Sequence, residues 1–186
     1  KCVRDLKDDP WERLRLLDAY LRGFRPIRID ASVALQSRFG APKRVAWTFP
    51  ASDEDAKAAM SVNWMLDEIG DVERDLGLAM LNHILSGTPA SPLRKALMDS
   101  GLGEEAWGSF EEGLRQTAMT FGMRGIEAGN VDRIEALILA TLKRLADDGI
   151  DLPTVEASLN TFEFSLRERN TGSFPRGLAL MLHALT

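Results

Sequence analysis

The chain has 186 residues, 45% of them hydrophobic and 27% charged, with a formal net charge of −5. That length accommodates one domain with a substantial core, and that balance excludes a disordered chain. No apolar run approaches the ~20 residues a membrane span needs, and a lone Cys2 excludes an internal disulfide.

Charge is unevenly spread. Residues 1–48 hold 11 Lys/Arg against 6 Asp/Glu, so the acidic excess lies entirely in the remainder. Arg13, Arg15 and Arg22 alternate with Leu14, Leu16, Leu17 and Leu21, which reads as a helical stripe with a solvated charged side. Nucleic-acid binding needs such charges gathered on one face with groove-fitting or aromatic elements, so it is not expected.

In chain order, Asp8 or Asp9 caps and Pro10 opens an amphipathic helix over 10–22, closed by Gly23. Residues 24–42 read as irregular, punctuated by Pro26, Gly40 and Pro42. Lys43–Phe49 alternates, with Val45, Trp47 and Phe49 on one side, which predicts a half-buried strand. Ala58–Leu66 predicts a second strand, with Met60, Val62, Trp64 and Leu66 facing inward. Asp71 caps a helix to about Ser86, and Ser91 caps a short one over 92–99 with Pro92 at its first position.

Residues 104–112 show no clear period, and Leu114–Met123 predicts a strand with a Gly-rich exit. Asn130 caps a helix with Val131, Ile134, Ile138, Leu142 and Leu145 at helical spacing, ended by Asp147-Asp148-Gly149. Asp151 or Leu152 leads into the next, whose stripe is Val155, Leu159, Phe162 and Leu166. Within it Glu163 stands four residues before Arg167, the favourable order for a surface pair.

Asn170 and Gly172 suit a helix C-terminus, since both tolerate the left-handed conformation that closes a last turn. Ser173 suits an N-cap, and Pro175 the first turn of a helix that is apolar at Leu178, Leu180, Met181, Leu182 and Leu185. An apolar helix with neither C-cap nor partner raises the expectation of a segment truncated at both ends. Strands separated by helix pairs predict an α+β fold, with an antiparallel or mixed sheet and helices packed on one face.

The candidate chemistry is sparse. A catalytic zinc needs three protein ligands, and the only imidazoles are His83 and His183, neither in an H-x-x-E-H spacing. His83 shares a helix face with Val72, Leu76, Ala79 and Met80, which predicts a hydrogen-bonded or half-exposed core histidine. There is no Gly-x-Ser-x-Gly elbow, and Cys2 lacks defined surroundings for a nucleophile. Gly87-Thr-Pro-Ala-Ser91-Pro-Leu-Arg94 lacks the Gly-Lys-Ser/Thr of a phosphate loop and reads instead as helix stop, turn and helix start. The pairs Glu104/Glu105, Glu111/Glu112 and Asp147/Asp148 read as solvated carboxylates without the apolar pocket that sets an acid apart from a base.

Three segments carry a family resemblance: Gly87–Leu97, Ser100-Gly-Leu-Gly-Glu104 and Asn160–Leu182. They resemble the presequence-protease branch of the pitrilysin/insulinase zinc metallopeptidases, strongly from Trp64 to Leu182 and loosely from Pro10 to Ala51. The resemblance implies the second, noncatalytic α+β domain of the N-terminal half, which repeats the fold of a zinc-bearing first domain without its motif. Residues 1–172 would be that domain, with 1–9 poorly matched, and 173–186 the start of an exit helix. The sequence departs from the family at Ala106-Trp-Gly-Ser-Phe110, Leu114–Ala118 and Arg169, which leaves the conformation of residues 104–114 open.

The implied parent degrades targeting peptides and other unstructured oligopeptides, in an organelle matrix if eukaryotic and in the cytoplasm if bacterial. Zinc would belong to the parent, with no catalytic, metal or cofactor residue in this segment. Its partners would be the remaining domains and, through them, peptide substrates. Arg94, Glu163, Arg167, Asn170, Gly172, Pro175 and Arg176 are the candidate structural or interdomain residues. The alternative is a stand-alone adaptor or assembly subunit that binds a partner protein through its helical surface.

Overall fold

The computed structural model describes residues 9–50, 57–168 and 171–185, the last three without their side chains. The described parts of residues 1–34 and 170–186 form one compact unit, and those of 35–169 form another.

In the first unit, α1 spans Pro10–Leu21. The Asp9 carboxylate accepts the Trp11 N–H at 2.9 Å, and Pro10 occupies the first turn, as its fixed φ favours. No residue of α1 is buried. The last helix of the chain, Arg176–Leu185, also belongs to this unit. The Pro175 carbonyl accepts from Leu178 and Ala179 at 3.0 Å, so Pro175 stands at the N-cap position expected for Ser173. The turn before it closes on itself, with Thr171 Oγ1 donating to the Phe174 carbonyl at 2.7 Å.

The second unit holds a three-stranded antiparallel sheet in the order β1-β3-β2, with β1 at Ala58–Glu68, β2 at Glu105–Glu111 and β3 at Gln116–Ile126. β1 is read correctly from its alternation: Met60, Val62, Trp64 and Leu66 face the core while Ser61, Asn63 and Met65 stay exposed. Helices α2 (Val72–Ser86), α3 (Pro92–Asp99) and α4 (Val131–Asp148) supply Leu85, Leu93, Leu97, Ile134 and Ile138 to the core. From the sheet come Ala106, Met119, Phe121, Met123 and Ile126. The fold is therefore α+β with its helices gathered on one sheet face. Helix α5 (Leu152–Glu168) packs on α2 and contributes nothing to that core; the sixth helix, α6, is Arg176–Leu185.

Two strand expectations change. Lys43–Phe49 has no ladder, and its alternating apolar residues are solvated, with Val45 64%, Trp47 85% and Phe49 63% exposed. Residues 104–112, without a clear period in sequence, contain β2. Ala106 and Phe110 face the core, and the Gly108 between them masks the alternation. Gly108 is small for a reason: a Cβ there would lie 2.3 Å from Ser86 Oγ and 2.7 Å from the Phe121 ring. The third strand starts later than expected and continues through Gly125, whose φ of 68° lies in the left-handed region.

Helix boundaries are set by identifiable caps. Asp71 accepts from the Arg74 N–H at 3.1 Å, and Asp151 from the Thr154 N–H at 2.9 Å. Asn130 stands at the N-cap of α4, but its side-chain oxygen accepts from the Arg133 guanidinium instead of a backbone N–H. A 3-10 turn over Ala128–Asn130 precedes it.

Candidate functional site

The turn between α2 and α3 is closed by local hydrogen bonds. Gly87 closes α2, its N–H donating to the His83 carbonyl at 2.8 Å. Ser91 is buried but does not cap α3 with its side chain. Its hydroxyl instead accepts the Thr88 N–H at 3.0 Å and donates to the His83 carbonyl at 3.3 Å. The Ser91 carbonyl takes the Lys95 N–H at 2.8 Å, which starts the helix. A Cβ at Gly87 would meet His83 Cδ2 at 2.6 Å, so Gly is required by contact there. The Gly87, Thr88 and Ser91 N–H groups are thus engaged within the turn or with the end of α2, so they do not form a phosphate cradle.

The next segment is also a turn with a defined cause. The Ser100 hydroxyl donates to the Leu97 carbonyl at 2.6 Å and accepts the Leu102 N–H at 3.2 Å. Gly101, at φ 65°, supplies the left-handed residue that ends α3. Gly103 admits Ile126, since a Cβ would lie 2.6 Å from its Cγ2.

The titratable groups do not converge. His83 is half-buried on α2, edge-on to Phe162 of α5 at 6.4 Å, and its buried Nδ1 has no hydrogen-bond partner among the described residues. Cys2 and the side chain of His183 lie outside the described residues. Among the described residues no group of three His, Cys, Asp or Glu is placed to hold a metal ion. The donor set of the described residues therefore does not fit a catalytic zinc. Among the described residues no helix is long and apolar enough to cross a membrane.

The perturbed groups are surface groups with local causes. Thr154, through its side chain and its backbone N–H, holds Asp151 below the usual carboxylate range. Ser32 does the same for Asp30. Asp132 and Glu135 raise Arg44. These two carboxylates, with Arg44, Ala136 and Leu139, line a shallow open hollow without catalytic character.

One buried charge was missed in the sequence. Asp75 is 8% exposed; it accepts from the Gly70 N–H at 3.1 Å and from Arg74 Nη2 at 3.2 Å. Arg74 also donates to the Glu68 carbonyl at 2.6 Å, so the pair ties the end of β1 to the start of α2. The spacing gives no sign of this, because an acidic first turn reads equally well as an exposed helix N-terminus.

The candidate structural residues are dispersed. Arg94 is half-buried on α3 and has no ion-pair partner among the described residues. Arg167 pairs with Glu163 on the exposed side of α5, an interaction worth a few tenths of a kcal/mol. Asn170 lies outside the described residues. Arg176 is exposed at the start of α6, directly after Pro175.

Gly172 has φ 57°, and nothing lies within 4 Å of a Cβ built on it. The cost of replacing it is therefore conformational and not steric. Gly172→Val is expected to destabilise the chain by about 1 kcal/mol or more, with Gly172→Asn milder. Thermal unfolding of the two variants checks this, and an unchanged melting temperature for the Val variant rejects it.

Comparison with known proteins decides the family. The model of the peptidase M16 inactive domain matches residues 32–161. The chain belongs to the peptidase M16 inactive-domain family. It is 46% identical to presequence protease 1, chloroplastic/mitochondrial, of Arabidopsis thaliana over 186 residues, covering 96% of this chain and 17% of that protein. It is 32% identical to protein HypA of Clostridium perfringens (90% and 18% covered) and 29% identical to the mitochondrial presequence protease of Xenopus tropicalis (81% and 15%). The chain thus spans less than a fifth of the length of these relatives.

Solved structures agree on the fold. The inactive peptidase domain of a protein assigned as a zinc protease from Bordetella parapertussis superposes with a TM-score of 0.61 at 19% identity, covering 70% of this chain and 71% of that one. A second, from Bordetella pertussis, gives 0.58 at 21% identity with the same coverage.

Proposed function

We propose that this M16 inactive domain is a noncatalytic, chamber-forming part of a zinc metalloendopeptidase that degrades targeting peptides and other unstructured oligopeptides. The observation that carries the reading is the 46% identity to an organellar presequence protease over nearly the whole chain.

In this reading residues 1–172 form the domain and 173–186 begin the exit helix toward the next part of the enzyme. The turn at 171–175 sets the angle of that helix. Arg94, Arg167 and Arg176 bind carboxylates of neighbouring domains, using the two-pronged guanidinium geometry that Lys does not reproduce. The zinc resides in a sister domain of the parent, whose compartment is an organelle matrix in a eukaryote and the cytoplasm in a bacterium.

Two measurements test this. Purified residues 1–186 are expected to carry no stoichiometric zinc by atomic absorption and to leave an unstructured peptide uncut. Chelator-sensitive cleavage by that chain would falsify the noncatalytic role. The complete reading frame is expected to encode an H-x-x-E-H ahead of this segment; a frame without one rejects the parent enzyme.

A further inference from the structure

The two long helices at the end of the second unit are held in unequal ways. α4 buries Ile134, Ile138 and Thr141 and supplies both isoleucines to the core. α5, of nearly equal length, buries only Ser158 and supplies nothing to it. Leu152, Leu159, Phe164 and Leu166 of α5 stay exposed, so most of its large apolar side chains gain little from docking.

α5 docks chiefly on α2, where Phe162 stands half-buried and edge-on to the His83 ring. That contact leaves a polar atom unpaired. His83 Nδ1 is buried and has no hydrogen-bond partner among the described residues. Docking therefore withholds a hydrogen bond that water supplies as soon as it reaches the ring. On its other side the ring stands against Gly87, where a Cβ would lie 2.6 Å from His83 Cδ2, so it has little room to turn elsewhere.

The remaining ties of α5 are its own. Asp151 caps it through the Thr154 N–H, Thr161 Oγ1 donates to the Ala157 carbonyl at 3.0 Å, and Glu163 pairs with Arg167. None of these bonds reaches another element. Ile150, just ahead of the helix, packs against the core and keeps it tethered.

We propose that α5 is a detachable helix. It leaves α2 as a unit, in a local opening that the sheet core survives, and the unpaired Nδ1 of His83 biases the contact toward release. Once released, a helix of 17 residues is marginal in water, so its amides exchange with solvent in that state. The opened state presents the His83 face of α2, a surface that the closed domain hides. The inference concerns this domain by itself and does not rest on the proposed activity.

Residue-resolved amide exchange on the intact chain tests this. The α5 amides are expected to exchange together, about 10-fold or more faster than those of β3. Phe162→Ala is expected to speed α5 exchange by about another 10-fold and leave β3 unchanged, which also shows that the variant is folded. His83→Leu removes the unpaired nitrogen and is expected to slow α5 exchange by about 5-fold or more, again with β3 unchanged. Exchange of α5 at the rate of β3 overturns the proposal, because the two then open only in global unfolding. An unchanged or faster α5 rate in His83→Leu also overturns it, by showing that the imidazole secures the contact.

Discussion

Phe121→Ala is expected to cost about 3–5 kcal/mol and to leave the isolated domain near or below its folding threshold. Phe121 is 1% exposed in the central strand, where both neighbouring strands and the helix layer meet it. Its ring stands edge-on to Trp64 of β1 at 6.0 Å and 63°. On the β2 side its register partner is Gly108, and a Cβ there would already lie 2.7 Å from the ring. The cavity left by truncation is thus bounded by backbone on one side and a large ring on the other, and neither collapses easily. Phe121→Leu, which keeps most of the volume, is expected to lose about 1–2 kcal/mol. Urea unfolding of both variants measures this; a loss under about 1 kcal/mol for the Ala variant would mean the core relaxes around the void. In a parent enzyme, the reading of this domain as a wall predicts that activity falls with the folded fraction.

The contrast between α4 and β2 explains what the sequence discloses. α4 announces itself because Ile134, Ile138 and Leu142 are evenly spaced and the only polar members of that face are small. β1 does so because one side meets the core and the other remains exposed, which turns burial directly into alternation. β2 is silent because its inward positions are Ala106, Gly108 and Phe110, and contact with Ser86 and Phe121 holds Gly108 to a bare hydrogen. A glycine demanded by a neighbour reads from sequence as a loop. The converse error is Lys43–Phe49, where a strand pattern exists without a ladder. Periodicity reports which side chains share a face; it does not report whether a neighbouring strand is in place. The family resemblance was legible for a different reason. Its segments at 87–97 and 100–104 contain turns where left-handed φ at Gly101, close approach at Gly87 and Gly103 and the buried Ser91 hydroxyl each demand a particular residue. Asp75 escaped notice because its burial depends on Gly70 and Arg74 folding back over it, which no local pattern encodes.

The same logic identifies the substitution with the next largest expected effect. Gly122→Ala adds one carbon to the central strand, at a point where it would lie 2.4 Å from the Met60 carbonyl and 3.1 Å from Trp107 Cζ2. The indole can yield, but the carbonyl belongs to the backbone of β1. Relief therefore requires the two strands to separate locally, which disturbs the β1–β3 ladder. The expected loss is about 3 kcal/mol, the upper end of ordinary overpacking penalties. Gly77→Ala provides the control, because Gly77 lies inside α2 with nothing within 4 Å of its Cβ. There the added methyl group only restricts the unfolded chain and favours the helix, so a gain of about 0.5–1 kcal/mol is expected. The two variants are the same chemical change with opposite signs. If Gly122→Ala melts within a degree of the unsubstituted chain, β1 and β3 approach less closely at this point than the register requires.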